Sequence, residues 1–419
     1  MAKAGSEVPG LPARRAALRL LDGVLRRGET LEQNETAALR GLPASDAGLA
    51  RAIAAETLRW LVDFDSLIDS ATRENLPEDA KPRTVLRLML AQWLRLDTPP
   101  HAVVATALPL LSGGPKRLAH GVFGALAKRG VELPAAPTLP DAVAERWGER
   151  AGAIAAGLAE PPPLDLTLRH RDRDTRDDTE RLAVAMGADS LMSGHLRLSR
   201  GQAVHELQGY EAGAWWVQDL AASLPARLLG DGAGKRALDL CAAPGGKTLQ
   251  LASAGWAVTA LDISAKRLKL LEENLKRTGL EAEVIAADAF KWEPDQLFDA
   301  ILIDAPCTAT GTCRRHPDVL HRIGPRQIAD LADVQARLIE RASGWLAPGG
   351  VLVYAVCSLE SEEGEGQVEK VSLKPDPIRA EELPAGLSPT EDGYLRTDPG
   401  MLPEQGGLDG FFVARWRKA

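Results

Sequence analysis

The twelve residues Ala237-Leu-Asp-Leu-Cys-Ala-Ala-Pro-Gly-Gly-Lys-Thr248 constrain the fold more than any other part of the chain. Ala237 to Leu240 reads as a short buried strand. Ala242 to Gly246 reads as a tight turn, and Lys247 onward, through Leu249, Leu251 and Ala252, as a helix. Small residues after a strand let backbone come close to a ligand, and a helix N-terminus offers free N–H groups. This is the ligand-binding corner of a doubly wound α/β sheet.

The residues that follow fit such a sheet. Apolar runs at 257–261, 282–286, 299–303 and 350–355 join 236–240 as strands, with helical stretches between them. The stretch 264–278 carries Leu268, Leu271 and Leu275 at helical spacing. Acids stand at successive strand ends: Asp262 after the second strand, Asp288 past the third, Asp304 after the fourth. Such positions face the crevice where ligands bind.

Three ligands compete for the corner. A phosphate loop needs Gly-x-x-x-x-Gly-Lys-Ser/Thr. Gly246, Lys247 and Thr248 supply its end, but its first glycine falls on Cys241. A dinucleotide fingerprint needs Gly-x-Gly-x-x-Gly, and Gly245 and Gly246 are adjacent. An S-adenosylmethionine (SAM) site needs only a close turn and an acid for the ribose hydroxyls. Cys241, Ala242, Ala243, Pro244, Gly245, Gly246 and Lys247 form that turn, and Asp262 is that acid. Asp288 is a candidate for the adenine amino group, with turn formation as its other reading. Arg267 reads as a surface helix residue near the cofactor.

Phe298-Asp-Ala-Ile-Leu-Ile-Asp-Ala-Pro-Cys and Val351-Leu-Val-Tyr-Ala-Val-Cys-Ser are strands ending in Asp304 with Cys307, and in Cys357. In one parallel sheet these ends share an edge, so two thiols and a carboxylate converge. Each cysteine alone also reads as a small buried hydrophobe. A thiolate is favoured by a nearby cation, and Lys247 is the candidate. The four cysteines, Cys241, Cys307, Cys313 and Cys357, lack metal-site spacing, so no metal is expected.

The Ala-Ala-Pro-Gly-Gly-Lys string, the Asp304-Ala-Pro-Cys turn and the Cys357-Ser pair resemble the Nop2/Sun family of RNA cytosine-5 methyltransferases. Trp215-Trp-Val-Gln-Asp and Asp409-Gly-Phe-Phe-Val-Ala-Arg resemble the beginning of that family's catalytic domain and its closing strand. Val356 stands where the family has Thr, and Ser361-Glu-Glu-Gly where it has Pro-Glu-Glu-Asn. The resemblance implies that Cys357 attacks C6 of cytosine, so that C5 can take a methyl group. It implies that Cys307 assists removal of the C5 proton and release, and that Asp304 contacts the cytosine edge and the cofactor side. Thr308-Ala-Thr-Gly-Thr-Cys-Arg-Arg-His matches a family loop, which implies RNA phosphates near Arg314, Arg315 and His316; Cys313 has no family role. The target base must lie in a loop or be flipped out.

Residues 12–130 read as all helix, with repeats such as Ala17, Leu18, Leu21, Val24 and Leu86, Met89, Leu90, Trp93. Ala13-Arg-Arg-Ala-Ala-Leu-Arg-Leu-Leu, Ala50 to Trp60 and Leu88 to His101 resemble a NusB-type RNA-binding domain. The ribosomal RNA small subunit methyltransferase B branch of the family carries such a domain. Gly124 stands where that pattern has Asn.

Pro134 to Pro140 reads as a linker, 141–158 as helix, and 161–202 as a small α+β piece whose strand is Leu164-Asp-Leu-Thr-Leu-Arg. His170 stands near a family Asn. The basic run Arg169 to Arg176 reads either as a solvated face or as an RNA contact. The expected fold class is therefore α/β, a Rossmann-like SAM-dependent methyltransferase domain (213–419) behind a NusB-like helical domain (1–135) and a small linker domain (141–212).

A net charge of −8 is unpromising for an RNA partner. The acidity is concentrated at 360–409, with 4 Lys and Arg against 13 Asp and Glu, whereas 1–140 carries 18 against 15. The expected substrate is small-subunit ribosomal RNA. A tRNA enzyme of the same family, and an RNA-binding assembly factor without activity, are the rivals. No apolar run spans a membrane, and Met-Ala-Lys-Ala-Gly-Ser has no apolar core of a signal peptide. A cytoplasmic monomer is expected.

Overall fold

The structure, a computed structural model, describes residues 8–169 and 176–419. The first residues, His170 and the interior of the basic run 169–176 lie outside the described residues. Two compact units emerge: residues 1–159 with 315–323, and residues 160–314 with 324–419.

The first unit is helical. Its helices are α1 (Leu11–Arg27), α2 (Leu31–Ala38), α3 (Ala44–Arg59), α4 (Leu61–Asp69), α5 (Lys81–Leu94), α6 (Pro100–Ala107), α7 (Gly113–Arg129), α8 (Asp141–Trp147) and α9 (Ala151–Leu158). The stretch 141–158 is thus two helices, broken where Gly148 takes a positive φ. Local chemistry sets the ends. Pro12 opens α1 and Gly28, at φ 67°, closes it; Thr30 and Gln33 form a capping box on α2. Leu20, Leu21, Ile53, Leu58, Phe64 and Met89 meet in the core. The linker-like segment is tied down, because Thr138 donates through its N–H and its hydroxyl to Asp63 at 2.9 and 2.7 Å. A late part of the chain completes the unit: α14 (Val319–Arg322) buries Val319 and Leu320, and His321 Nε2 lies 2.7 Å from the Leu58 carbonyl.

The second unit holds two sheets. A small one has the order β2 (His195–Leu198), β1 (Leu164–Leu168), β3 (Trp215–Val217), all antiparallel, with α10 (Arg176–Met186). Trp215 and Trp216 are core residues, 0% and 3% exposed. After α11 (Leu220–Arg227) the large sheet begins. Its chain order is β4 (Arg236–Leu240), α12 (Gly246–Ser253), β5 (Ala257–Asp262), α13 (Ala265–Thr278), β6 (Glu283–Ala286) and β7 (Phe298–Asp304). Then come α15 (Pro325–Trp345), β8 (Leu346–Val356), α16 (Glu365–Val368), β9 (Lys374–Pro375), β10 (Leu395–Thr397) and β11 (Phe411–Arg417).

The spatial order is β10-β11-β8-β7-β4-β5-β6, with β9 beside β11. The pairs β4 with β5, β5 with β6, β4 with β7 and β7 with β8 are parallel; β11 and β10 run antiparallel. Strand order therefore reverses between β4 and β7, which opens a crevice at their C-terminal ends. Asp304 pairs with Ala355 in the β7–β8 register, and this brings both cysteine-bearing ends to that crevice. Among the described residues no helix is long and apolar enough to cross a membrane.

Candidate functional site

The turn after β4 is shaped by backbone that few residues adopt. Cys241 has φ 62° and Gly245 φ 108°. A Cβ on Gly245 would stand 2.3 Å from Leu271 Cδ1, so α13 packs where a side chain would be. Asp262, at the end of β5, holds the turn from beneath. Its Oδ2 accepts the Ala243 N–H at 3.1 Å and its Oδ1 the Ser264 N–H at 2.8 Å. Arg267 is not only a surface residue. Its guanidinium donates to the Ala243 carbonyl and lies 3.7 Å from Asp262. Asp288 accepts the Phe290 N–H at 2.9 Å, so it does form a turn; its carboxylate is part-exposed, 3.7 Å from Lys291.

Below the turn sits Asp239, which sequence reasoning passed over. Its Oδ2 accepts the Thr248 hydroxyl at 2.6 Å, while its buried Oδ1 has no partner. Burial pushes its pKa up to about 7, and the Asp304 charge adds to that. Burial likewise pushes the Cys241 thiol up to about 12, with Asp262 and Asp304 contributing, so it is a neutral lining residue.

These residues suit SAM. Carboxylates at the ends of β4, β5 and β7, and just past β6, favour a cationic ligand over a phosphate. The small turn residues Ala242, Ala243, Pro244, Gly245 and Gly246 leave room for backbone contact, and Asp239 brings an unmatched acceptor. A diphosphate would face these same carboxylates.

Lys247, Asp304 and two thiols meet on the other side of β4. Lys247 Nζ lies 2.7 Å from Asp304 Oδ2 and 5.3 Å from the Phe411 ring centroid. Burial disfavours its charge, but Asp304 outweighs that and holds the ammonium above its ordinary pKa, with the Cys357 charge helping. Cys307 Sγ and Cys357 Sγ are 3.4 Å apart. The hydrogen bond with Cys357 raises Cys307 well above an ordinary thiol, followed by burial and the charges of Cys357 and Glu363. Cys307 is therefore the partner that keeps its proton.

Loop 308–312 is pressed against this pair. Gly311 N–H donates to the Cys357 carbonyl at 3.0 Å, and a Cβ on Gly311 would stand 1.9 Å from the Gly410 carbonyl. Cys313 is buried away from solvent. Arg314 does not present its charge outward as the loop resemblance implied. It is 2% exposed and donates to the Gly406 carbonyl at 2.5 Å, because Gly407 leaves space for its guanidinium. Glu363 was also missed: a fully buried carboxylate near Cys307, bound to Thr308 and Ser358, the residues that follow the two cysteines. The hint was its place in Ser361-Glu-Glu-Gly, where the resembled family has Pro-Glu-Glu-Asn.

A family model described as 16S rRNA methyltransferase RsmB/F matches residues 226–417, and one described as NusB family matches residues 11–113. Ribosomal RNA small subunit methyltransferase B of Xylella fastidiosa is 35% identical over 434 residues, covering 97% of this chain and 98% of the relative. The protein of the same name from Xanthomonas campestris is 31% identical over 440 residues and is covered fully, as is this chain. The crystal structure of PH0851 shares the fold at a TM-score of 0.73 and 20% identity, covering 98% of this chain and 99% of that one. Agreement in sequence over the full length, with a NusB segment ahead of a Rossmann-like catalytic sheet, means that this chain belongs to the 16S rRNA methyltransferase RsmB/F family of SAM-dependent enzymes.

Proposed function

We propose that this chain methylates C5 of a cytosine in small-subunit ribosomal RNA through a covalent bond between Cys357 and C6 of the base. The observation that carries this reading is the thiol pair, 3.4 Å apart, beside a buried lysine paired with a carboxylate. SAM, when bound, supplies an electrophilic methyl group.

Cytosine C5 is a weak nucleophile. A thiolate at Cys357 adds to C6, and the C5–C6 π electrons become available at C5. Lys247, held protonated, favours that thiolate. Asp304 is assigned to the N3/N4 edge of the base and to the cofactor side. After methylation the C5 proton must leave, and the Cys357–C6 bond then breaks to restore the ring. Cys307 assists that elimination as a relay: its proton passes to the departing Cys357 sulfur 3.4 Å away, and the C5 proton takes its place on Cys307. Cys241, Ala242, Ala243, Pro244, Gly245, Gly246 and Lys247 are assigned to the methionine part of SAM, Asp262 to its ribose hydroxyls and Asp288 to its adenine. No metal takes part in the scheme.

RNA contact falls to the helical domain (1–135) and the small α+β domain (141–212), chemistry to residues 213–419. The enzyme works as a monomer in the cytoplasm, where ribosomal RNA is assembled.

Two measurements test the reading. Bisulfite sequencing of RNA from a strain lacking the protein should lose a 5-methylcytosine in small-subunit ribosomal RNA; a loss in tRNA instead refutes the substrate. With labelled RNA and SAM, Cys307→Ala should accumulate a protein–RNA band on a denaturing gel, and Cys357→Ala should form none. The reverse pattern exchanges the two roles. Full activity in both variants refutes the covalent scheme and leaves another chemistry.

A further inference from the structure

Glu363 lies in the loop between β8 and α16, fully buried. Its Oε1 accepts the Thr308 N–H at 3.0 Å and the Gln335 side-chain amide at 2.9 Å. Its Oε2 accepts the Ser358 hydroxyl at 2.5 Å and the Thr308 hydroxyl. Thr308 follows Cys307, and Ser358 follows Cys357. Gln335, from α15, also donates to the Pro306 carbonyl at 2.9 Å, so the cysteine of that turn is held on both sides. The Glu363 carbonyl accepts the Tyr354 hydroxyl at 2.6 Å, which fixes the loop to β8 itself.

A buried carboxylate costs far more to bury than a neutral side chain would. Here each of these contacts comes from a neutral donor. An amide at this site would satisfy the same neutral shell with less desolvation, so packing alone does not explain a charge. We infer that Glu363 is a positioning residue for the reaction: one buried carboxylate binds the residue after each cysteine and thereby sets how the two sulfurs meet.

Charge gives the clamp a second effect. Cys307 faces Cys357, Glu363 and Tyr354, with the Lys247–Asp304 pair on the cofactor side and Arg396 beyond Tyr354, where it donates to the Ser358 carbonyl at 2.5 Å. The Glu363 anion disfavours a second negative charge at Cys307, while Lys247 stands toward Cys357. The clamp therefore aligns the pair and keeps the proton on Cys307. The inference rests on the proposed reading that these two thiols are the reacting pair.

The test uses the full-length chain with Glu363→Ala and Glu363→Gln. Gln keeps one acceptor oxygen, and the Ser358 and Thr308 hydroxyls can turn to accept from its amide, so the clamp persists without its charge. Diamide cross-linking of Cys307 to Cys357, followed by peptide mass, reports sulfur placement with neither RNA nor SAM present; the diazene takes up both protons and both electrons. Glu363→Ala should slow cross-linking and lower kcat by about tenfold to a hundredfold, as loss of charged buried hydrogen bonds implies. SAM affinity and the KM for RNA should hold. Glu363→Gln should recover most of the cross-linking rate and shift the pH profile of Cys307 alkylation to lower pH.

Wild-type cross-linking and kcat in Glu363→Ala overturn the inference. If that variant does not fold, Ser358→Ala removes one hydroxyl from the clamp, and an unchanged cross-linking rate there overturns it equally. Because cross-linking needs no turnover, it still reads out if the cysteine variants show the covalent scheme to be wrong.

Discussion

Asp239 has a pKa raised from 3.8 to about 7, and this has a definite sign in stability. The folded chain binds one more proton than the unfolded chain between those values. Stability is therefore lost as pH rises from about 4 to 7. Asp239→Asn mimics the protonated side chain and lacks that loss. Between pH 5 and 8 the variant should gain about 2–3 kcal/mol relative to wild type, at 1.36 kcal/mol per pKa unit. Urea denaturation at the two pH values checks it, and a difference that stays constant with pH refutes it. Asp262 is bound by two backbone amides at the turn. Asp262→Ala should weaken SAM binding by about 1.5–3 kcal/mol, since it removes a charged acceptor and loosens the turn. Calorimetry decides it, and unchanged affinity removes Asp262 from the cofactor site.

At the scale of elements, the site exists because α13 packs directly on the turn before α12. Its Ser264 cap accepts the Arg267 N–H, its Gly279 closes it at φ 63°, and Leu268, Leu271 and Leu275 face inward. Leu271 fills the space beside Gly245. Gly245→Ala should therefore cost about 2–4 kcal/mol, from a positive φ and a clash with Leu271, and should depress SAM affinity. Thermal denaturation and calorimetry give both numbers. In a Leu271→Ala background the clash is gone and only the φ penalty remains, so the cost of Gly245→Ala should fall. An equal cost in both backgrounds means that packing is not the cause. The same logic makes Gly311 indispensable where loop 308–312 touches Gly410.

For the whole molecule, net charge misleads. Several cations of the helical unit are spent internally: Arg59 and Arg95 on Glu56, Arg83 on Asp65 and Asp69, Arg87 on Asp65. Buried ion pairs do not attract RNA. Arg19, Lys116, Arg117 and Lys128 are exposed on this unit and can meet RNA. A fragment of residues 160–419 should keep SAM affinity and lose RNA affinity, with a shallower dependence on salt. It also leaves Val319 and Leu320 without the helices that bury them. The fragment should aggregate unless both are changed to Ser, which light scattering can follow. RNA affinity equal to the full chain at matched salt would give the helical unit another role.

Local rules made much of this legible in advance. The strand-turn-helix at 237–248, the acids at successive strand ends and the two Cys-ended strands follow from residue types and period alone, because a parallel sheet brings strand ends to one edge. Sequence order could not say which strands are neighbours. That β7 lies between β4 and β8 is a matter of crossover packing, and only this sets the sulfurs 3.4 Å apart and Lys247 on Asp304. Nor could it say which way a polar side chain turns. Glu362 and Glu363 are adjacent in a loop with no period, yet one is exposed and the other fully buried. Arg314 reads as a surface cation until Gly407, 93 positions later, gives it room to fold inward. Periodicity decides which residues share a face; burial of an isolated charge is decided by partners that arrive from elsewhere in the chain.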